Sequence, residues 1–324
     1  MAYDLQHMLV LGVASSALFD LAEADAVFQE QGEARYREYQ EAHLDHPLQP
    51  GAAFPFITRL LSLNDLAPDD APLVEVIVLS RNDPDTGLRV MRSIAHHDLP
   101  ITRAIFMQGR SPYAYMGALN MSLFLSQNEH DVRVALDLGF AAGQVIGSPA
   151  MDPKGTDLRI AFDFDGVLAD DSSERVMQAG GLSAFHANER ARAAEPLPEG
   201  RLSEFLRGIN RIQDIEEALL AADPGYNRRV HVAIVTARNA PSHERVIRTL
   251  TAWGVRVNDA FFLGGIDKAR VLRVLKPHVF FDDQIGHLEG AADEVPSVHV
   301  PFGVINEADA PPGANAATTR PRHA

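Results

Sequence analysis

The sequence predicts an α/β protein built from two tandem parallel-sheet units. Three observations carry that expectation. Short apolar or β-branched runs alternate with helical patterns along the chain. Five local matches recur between the two halves in the same order. In the second half, two aspartates one residue apart close an apolar run, Leu158-Arg-Ile-Ala-Phe-Asp163-Phe-Asp165-Gly166-Val167.

The runs expected as buried strands are 8–14, 74–80, 104–107, 122–125 and 144–147, then 158–164, 230–236, 260–263, 278–282 and 297–300. Each is bounded by turn residues. Between them lie amphipathic patterns. Residues 242–253 place Val246, Ile247, Leu250 and Trp253 on one helical face, and Asp267 to Leu275 reads as a second short helix. Strands alternating with helices imply parallel pairing through right-handed crossovers.

The internal matches read as a duplication. Arg81-Asn82 with Pro84 matches Arg238-Asn239 with Pro241, 157 positions on. Phe106-Met-Gln-Gly109 matches Phe262-Leu-Gly-Gly265, and Leu123-Phe-Leu-Ser126 matches Phe280-Phe-Asp-Asp283. Pro47-Leu48 with Gly51 matches Pro196-Leu197 with Gly200, and the run Leu11 to Leu18 matches Ala161 to Leu168. The period is far too long for a solenoid, so each copy is one α/β unit, 1–150 and 151–306. On this alignment Val13 and Ser15 stand where the second copy has Asp163 and Asp165, and Leu125 and Ser126 stand where it has Asp282 and Asp283. The first copy is expected to bind no catalytic metal and to serve as a structural partner, a subunit interface of a homo-oligomer or an effector site. Ser15, Ser16, Arg81, Asn82 and Ser111 are candidates for an anion pocket, with Arg81 and Arg110 supplying charge; turn and helix-cap roles for them stand equally.

The charged, helix-patterned insert from Asp171 to Asn227 interrupts the second copy between its first two strands, the position of a mobile cap. Phe185, His186, Glu189 and Arg190 within it are candidate substrate contacts; cap-core or solvated roles are the alternative for each. The Ala-, Pro- and Thr-rich tail, 307–324, is expected to be disordered.

Composition narrows the function classes. The chain has 324 residues, 46% of them hydrophobic, and a net charge of −15 without a long Lys/Arg run. That argues against nucleic acid polymers and anionic membranes as partners. There is no cysteine, so disulfides, thiol catalysis and Cys-ligated zinc are excluded. The apolar run at Met8 follows Asp4, reads as a strand rather than a signal peptide, and makes a cytoplasmic protein the expectation. His43, His46, His96 and His97 show no zinc spacing, and neither a Walker loop nor a Gly-x-Gly-x-x-Gly after a strand occurs.

Four motifs follow in order: Asp163-Phe-Asp165, Ile234-Val-Thr236-Ala-Arg238, Gly264-Gly-Ile-Asp-Lys268 and Val279-Phe-Phe-Asp282-Asp283. Each ends an expected strand or begins the next helix, so all converge on one sheet edge, where open α/β sheets bind ligands. Singly, each has an ordinary reading as a loop, cap, turn or surface lysine; as an ordered set they specify phosphoryl transfer. Asp163 suits the nucleophile, Asp165 the acid/base, Thr236 and Lys268 the phosphoryl oxygens. Gly166 lets backbone amides turn toward phosphate. Arg238 suits phosphate or a core carboxylate equally. Gathered carboxylates at Asp163, Asp165, Asp282 and Asp283 favour Mg²⁺.

These motifs resemble the haloacid dehalogenase (HAD) superfamily, which implies HAD-like, Rossmannoid domains with the helical cap on the catalytic second one. By that similarity Asp163 is the nucleophile, Asp165 the acid/base, Thr236 and Lys268 phosphate-site residues, and Asp282 and Asp283 metal-site acids. Further segments resemble the type I cytosolic 5′-nucleotidases: Val13-Ala-Ser-Ser-Ala-Leu-Phe19, Leu79-Ser-Arg-Asn82, Pro47-Leu-Gln-Pro-Gly51, Asp171-Ser-Ser-Glu174, Pro196-Leu-Pro-Glu-Gly200 and Pro277-His-Val-Phe-Phe-Asp-Asp-Gln284. The likeness runs from about residue 9 to 305. It implies Mg²⁺-dependent hydrolysis of AMP-like nucleoside 5′-monophosphates in the cytosol. Animal members carry a small residue between the aspartates; Phe164 stands there in this chain, a departure that bears on base preference. Two other readings stay open: a phosphatase for sugar phosphates or other small phosphomonoesters, and a nucleotide-binding regulatory scaffold.

Overall fold

The computed structural model describes residues 4–68, 70–147, 155–292 and 295–307. The expected tail beyond Glu307 and the junction between the two copies at residue 150 lie outside them. Ten strands form: β1 (Leu9–Val13), β2 (Val74–Ser80), β3 (Arg103–Phe106), β4 (Met121–Ser126), β5 (Ala142–Ile146), β6 (Leu158–Phe162), β7 (Val230–Thr236), β8 (Asp259–Phe262), β9 (Val279–Asp282) and β10 (Ser297–His299). Each expected run is present, shifted by a residue or two at its ends. β1, β2 and β9 are buried along their whole length, the mark of strands covered on both faces.

All ten strands share one sheet, in the order β3-β2-β1-β4-β5-β10-β9-β6-β7-β8. Read from either edge inward, both halves repeat one topology, and they meet where β5 pairs antiparallel with β10. The other pairs are parallel.

The helices are α1 (Ser15–Leu18), α2 (Ala22–Ala42), α3 (Phe54–Leu61), α4 (Pro84–His96), α5 (Glu129–Asp137), α6 (Ser172–Ala191), α7 (Ser203–Ala222), α8 (His243–Trp253), α9 (Lys268–Leu275), α10 (Ile285–Glu289) and α11 (Val304–Glu307). The first-half helix α3 packs against β6, and the second-half helix α7 packs against β1 and β4. One apolar layer therefore runs under both halves, joining Leu11, Val76, Phe162 and Phe281. The boundary near residue 150 divides a repeat and not two separately packed bodies.

Two expectations are corrected by packing. The segment 171–227 is not wholly a cap. Its second half, α7, buries Phe205, Leu206, Ile209 and Ile212 in the shared core, so close to β1 that a Cβ on Gly208 would lie 2.5 Å from Leu9. α6 buries only Ser173 and Glu189 among its described residues. In α8, Val246, Thr249 and Leu250 face inward while Ile247 is 45% exposed. Arg245 takes the inward position, because its guanidinium finds Glu189 Oε1 at 2.8 Å and the Glu195 carbonyl at 2.9 Å.

Hydrogen bonding also moves the alignment of the halves by one residue. Ala14 N donates to the Leu125 carbonyl as Asp163 N donates to that of Phe281. Asn82 N donates to the Ser80 hydroxyl as Arg238 N donates to that of Thr236. Ala14, not Val13, is thus the counterpart of Asp163, Ser126 that of Asp282, and Asn82 that of Arg238. Beyond Asp163 the second half carries one extra residue. Phe19 N closes an α-turn on the Ser15 carbonyl, whereas Ala169 N reaches the Phe164 carbonyl across a π-turn.

Candidate active site

β6 delivers Asp163 to its C-terminal tip, hydrogen-bonded into the sheet beside β9. The π-turn Phe164–Leu168 then bends the chain away. Inside it Asp165 is extended and Gly166 has φ of 72°. A side chain at Gly166 would be strained there and would place its Cβ 2.3 Å from Asp283 Oδ2. β7 ends at the buried Thr236, and α9 begins at Lys268, with Asp267 Oδ1 capping it from Ala269 N at 2.9 Å. β9 ends at Asp282, followed by Asp283.

These residues meet. Lys268, only 2% exposed, places Nζ 2.8 Å from Asp163 Oδ2 and 2.7 Å from Asp282 Oδ2. It is a buried bridge between two carboxylates and not a solvated surface lysine. Burial lowers its proton affinity, but the two aspartates outweigh burial and hold it firmly charged. Asp163 is pushed up to about 6 by burial, with Lys268 opposing and Asp282 and Asp165 adding. Asp282 is buried too, yet Lys268 and His287 hold it below the usual carboxylate range. For Asp283, burial and the neighbouring Asp163 and Asp282 outweigh the opposing charge of Lys268 and push it up to about 9.

Asp283 Oδ1 is buried and accepts no hydrogen bond among the described residues. A buried carboxylate oxygen left so, beside further carboxylates, fits a hard divalent cation. His287 was not foreseen. Its Nδ1 lies 3.2 Å from Asp282 Oδ2, and ligand atoms of Asp163, Asp282 and His287 fall within 4.8 Å of one another. A histidine one helical turn after paired aspartates was its only sequence signal. Asp282 already accepts from Lys268 and Gln284 N, whereas Asp283 Oδ1 has no hydrogen-bond partner among the described residues and is free to meet such a cation.

Arg238 resolves toward a carboxylate. Its Nε and Nη2 grip both Asp165 oxygens at 2.6 Å, its Nη1 pairs with Glu189, and its guanidinium lies between the Phe164 and Phe185 rings, 5.4 and 5.2 Å from their centroids. Glu189, fully buried, also bonds Arg245 and Ser173. The Glu189 carboxylate therefore holds the arginine and is not free to meet substrate. Phe185 reaches the site only as a wall on Arg238. His186 lies tilted against Phe185, with Nε2 buried and unpartnered among the described residues, and Arg190 is exposed. Arg245, also unforeseen, hid inside an amphipathic pattern.

No helix among the described residues is long and apolar enough to cross a membrane.

A family model described as 5′-nucleotidase matches residues 1–307. Human cytosolic 5′-nucleotidase 1B is 32% identical over 292 residues, 88% of this chain and 47% of that protein. The chain thus spans about half the length of that relative. A solved histidinol dehydrogenase from Elizabethkingia anophelis aligns over 90% of this chain and 79% of that one, at 9% identity and a TM-score of 0.21, too low to carry an argument. On the full-length family match and that identity, the chain belongs to the 5′-nucleotidase family.

Proposed function

We propose that this chain is a phosphomonoesterase that hydrolyses nucleoside 5′-monophosphates through a phosphorylated Asp163. We read it as a tandem HAD-like duplication whose second copy, under α6 as its cap, is catalytic. The observation that carries this reading is the buried bridge of Lys268 between Asp163 and Asp282, at the tips of adjacent parallel strands.

Asp163 attacks phosphorus, and the ester P–O bond breaks. The leaving 5′-oxygen takes a proton from Asp165. Asp165 then removes a proton from water, which attacks the phosphoaspartate; phosphate leaves and Asp163 is regenerated. Lys268 and the Thr236 hydroxyl face the charge that develops on the phosphoryl oxygens. Because Arg238 holds both Asp165 oxygens, one of them must be released before Asp165 can meet the leaving group. Mg²⁺, when bound through Asp163 and Asp283 with Asp165 and Asp282 around them, would offset carboxylate–phosphate repulsion.

The test is phosphate release from AMP, IMP, UMP, their deoxy forms and a set of sugar phosphates, with and without Mg²⁺. Metal-dependent turnover is expected, with nucleotides ahead by kcat/KM. Sugar phosphates running ahead would shift the substrate class, and no turnover on any ester would remove the reading.

A further inference from the structure

The first half keeps a cavity where the second half keeps its catalytic site. It measures about 670 Å³ and opens at the C-terminal tips of β1 and β2, beneath α2. That size accommodates a small molecule. Its floor includes Ser15, Ser16, Ser80 and Asn82; Arg110 and Ser111 do not line it.

The two halves share one scaffold around these sites. α2 breaks at Gly32 (φ 79°) as α6 breaks at Gly181 (φ 70°). Arg89 donates from Nη1 to Gln40 at 3.1 Å and from Nε to the His46 carbonyl, as Arg245 does to Glu189 and the Glu195 carbonyl. What differs is charge. Gln40 replaces Glu189, Asn82 replaces Arg238, Ala14 replaces Asp163 and Ser126 replaces Asp282. In the second half Arg238 lies across this space to grip Asp165; in the first, the shorter Asn82 side chain accepts from the Tyr36 hydroxyl at 3.4 Å.

The lining does not suit an anion. Its two arginines are already paired: Arg37 with Glu33 and Asp83, and Arg81 with Asp131 at 2.7 Å. Asp25 adds a further carboxylate, so acids outnumber cations. A phosphate would meet net repulsion from this lining, while the Arg81 Nε and Asn82 Nδ2, buried and without a hydrogen-bond partner among the described residues, are left to an uncharged acceptor. Of the residues expected to form an anion or effector pocket, Ser15, Ser16, Arg81 and Asn82 line this cavity, whereas Arg110 and Ser111 do not, and Arg81 pairs with Asp131. What remains is amide and ring: Gln29, Gln108 and Gln127 offer donors and acceptors, and Phe28, 46% exposed and edge-on to Tyr36, offers a ring face. Amide edges beside aromatic faces recognise heteroaromatic bases by hydrogen bonding and stacking.

We propose that this cavity binds an uncharged nucleoside and rejects its phosphorylated form. The site is separate from the catalytic one, and its ligand is the chemical class that phosphomonoester cleavage of a nucleotide releases. The pocket assignment rests on the first-half lining alone and does not need the second half to be active.

Isothermal titration of the full chain carrying Asp163→Asn separates binding from turnover. Adenosine and uridine are the probes; AMP and inorganic phosphate are the counter-probes. Ser16→Tyr fills the cavity floor, and Phe28→Ala removes an exposed ring without touching the core. Nucleoside binding that falls at least tenfold in Ser16→Tyr and severalfold in Phe28→Ala, at unchanged melting temperature, is the expected result. Should Ser16→Tyr fail to fold, the Phe28→Ala comparison decides alone. Nucleoside affinity indifferent to Phe28→Ala, no nucleoside binding, or AMP or phosphate binding that these variants weaken equally would overturn the proposal.

Discussion

At the tip of β6 the chain carries Asp163; at the tip of β1, bonded into the sheet in the same way, it carries Ala14. Opposite Asp282 stands Ser126, and opposite Thr236 stands Ser80. The hydroxyl survives in the first half while the carboxylates do not. The backbone changes with them: the second half spends one extra residue on a π-turn, and that residue lets Asp165 and Gly166 fold back beneath Asp283. The comparison teaches that the sheet supplies places and not chemistry. Corresponding strand tips become a buried cluster of carboxylates around a lysine or a cavity without those carboxylates, according to a few side chains and one insertion.

The sharpest way to break this comparison is to neutralise the nucleophile. Asp163→Asn should lower phosphate release on the order of 10⁴-fold or more, as loss of a covalent nucleophile does. The reverse substitution, Ala14→Asp, should add no activity measurable over that variant. It buries an unpaired charge at β1 and should destabilise by roughly 3–5 kcal/mol in denaturant melts. Activity gained there would mean that the tip alone suffices.

Lys268→Met removes the cation between Asp163 and Asp282. A loss of about 10²–10³ in kcat is expected, comparable to removal of one preorganised donor. The variant should also melt earlier, since it leaves two buried carboxylates facing each other.

The pH response follows from two raised carboxyls. Asp163 reacts ionised, and burial raises it to about 6, so kcat/KM should fall as pH drops through that value. Asp283 is raised to about 9, chiefly by burial. Its folded state holds the proton more tightly than the unfolded chain does. The stability it contributes is therefore full below the ordinary carboxylate range and is lost as pH rises through about 9. Melting without Mg²⁺ should weaken over that window, and Mg²⁺ should restore more stability at pH 9 than at pH 6. A metal effect that shrinks with rising pH would remove Asp283 from the cation site.

The smallest expected effect is the most specific. Glu189→Gln copies Gln40 of the first half and loosens Arg238 from α6. A fall in kcat of about tenfold with KM little changed is expected, because the substitution acts on the placement of Asp165. An unchanged kcat would confine Glu189 to packing.

Much of this was legible in the chain. Ten apolar runs gave ten strands, because strands covered on both faces need no alternation to be recognised. Asp163, Asp165, Thr236, Asp282 and Asp283 stood out because they lie at or just past the end of a strand, and Lys268 because it starts a helix. The rest depends on distances no spacing encodes. Arg238 could be assigned to Asp165 only once β7 was laid beside β6. Glu189 was a candidate substrate contact and Arg245 lay unmarked within a helical pattern, yet Glu189 pairs with Arg245 and Arg238 in the interior. α7 looked like a cap because its charges mark one face, while its other face fills the core of both halves. Sequence similarity aligned Arg81 with Arg238; the hydrogen bonds of Asn82 and Arg238 show that the register is one residue away.

The central claim is most directly tested by rapid acid quench of the wild-type chain during AMP turnover, followed by peptide mass spectrometry. A phosphoryl group on Asp163, absent from the Asp163→Asn chain, is the predicted result. Turnover that proceeds with no phosphorylated residue, or with the group on another side chain, would contradict it.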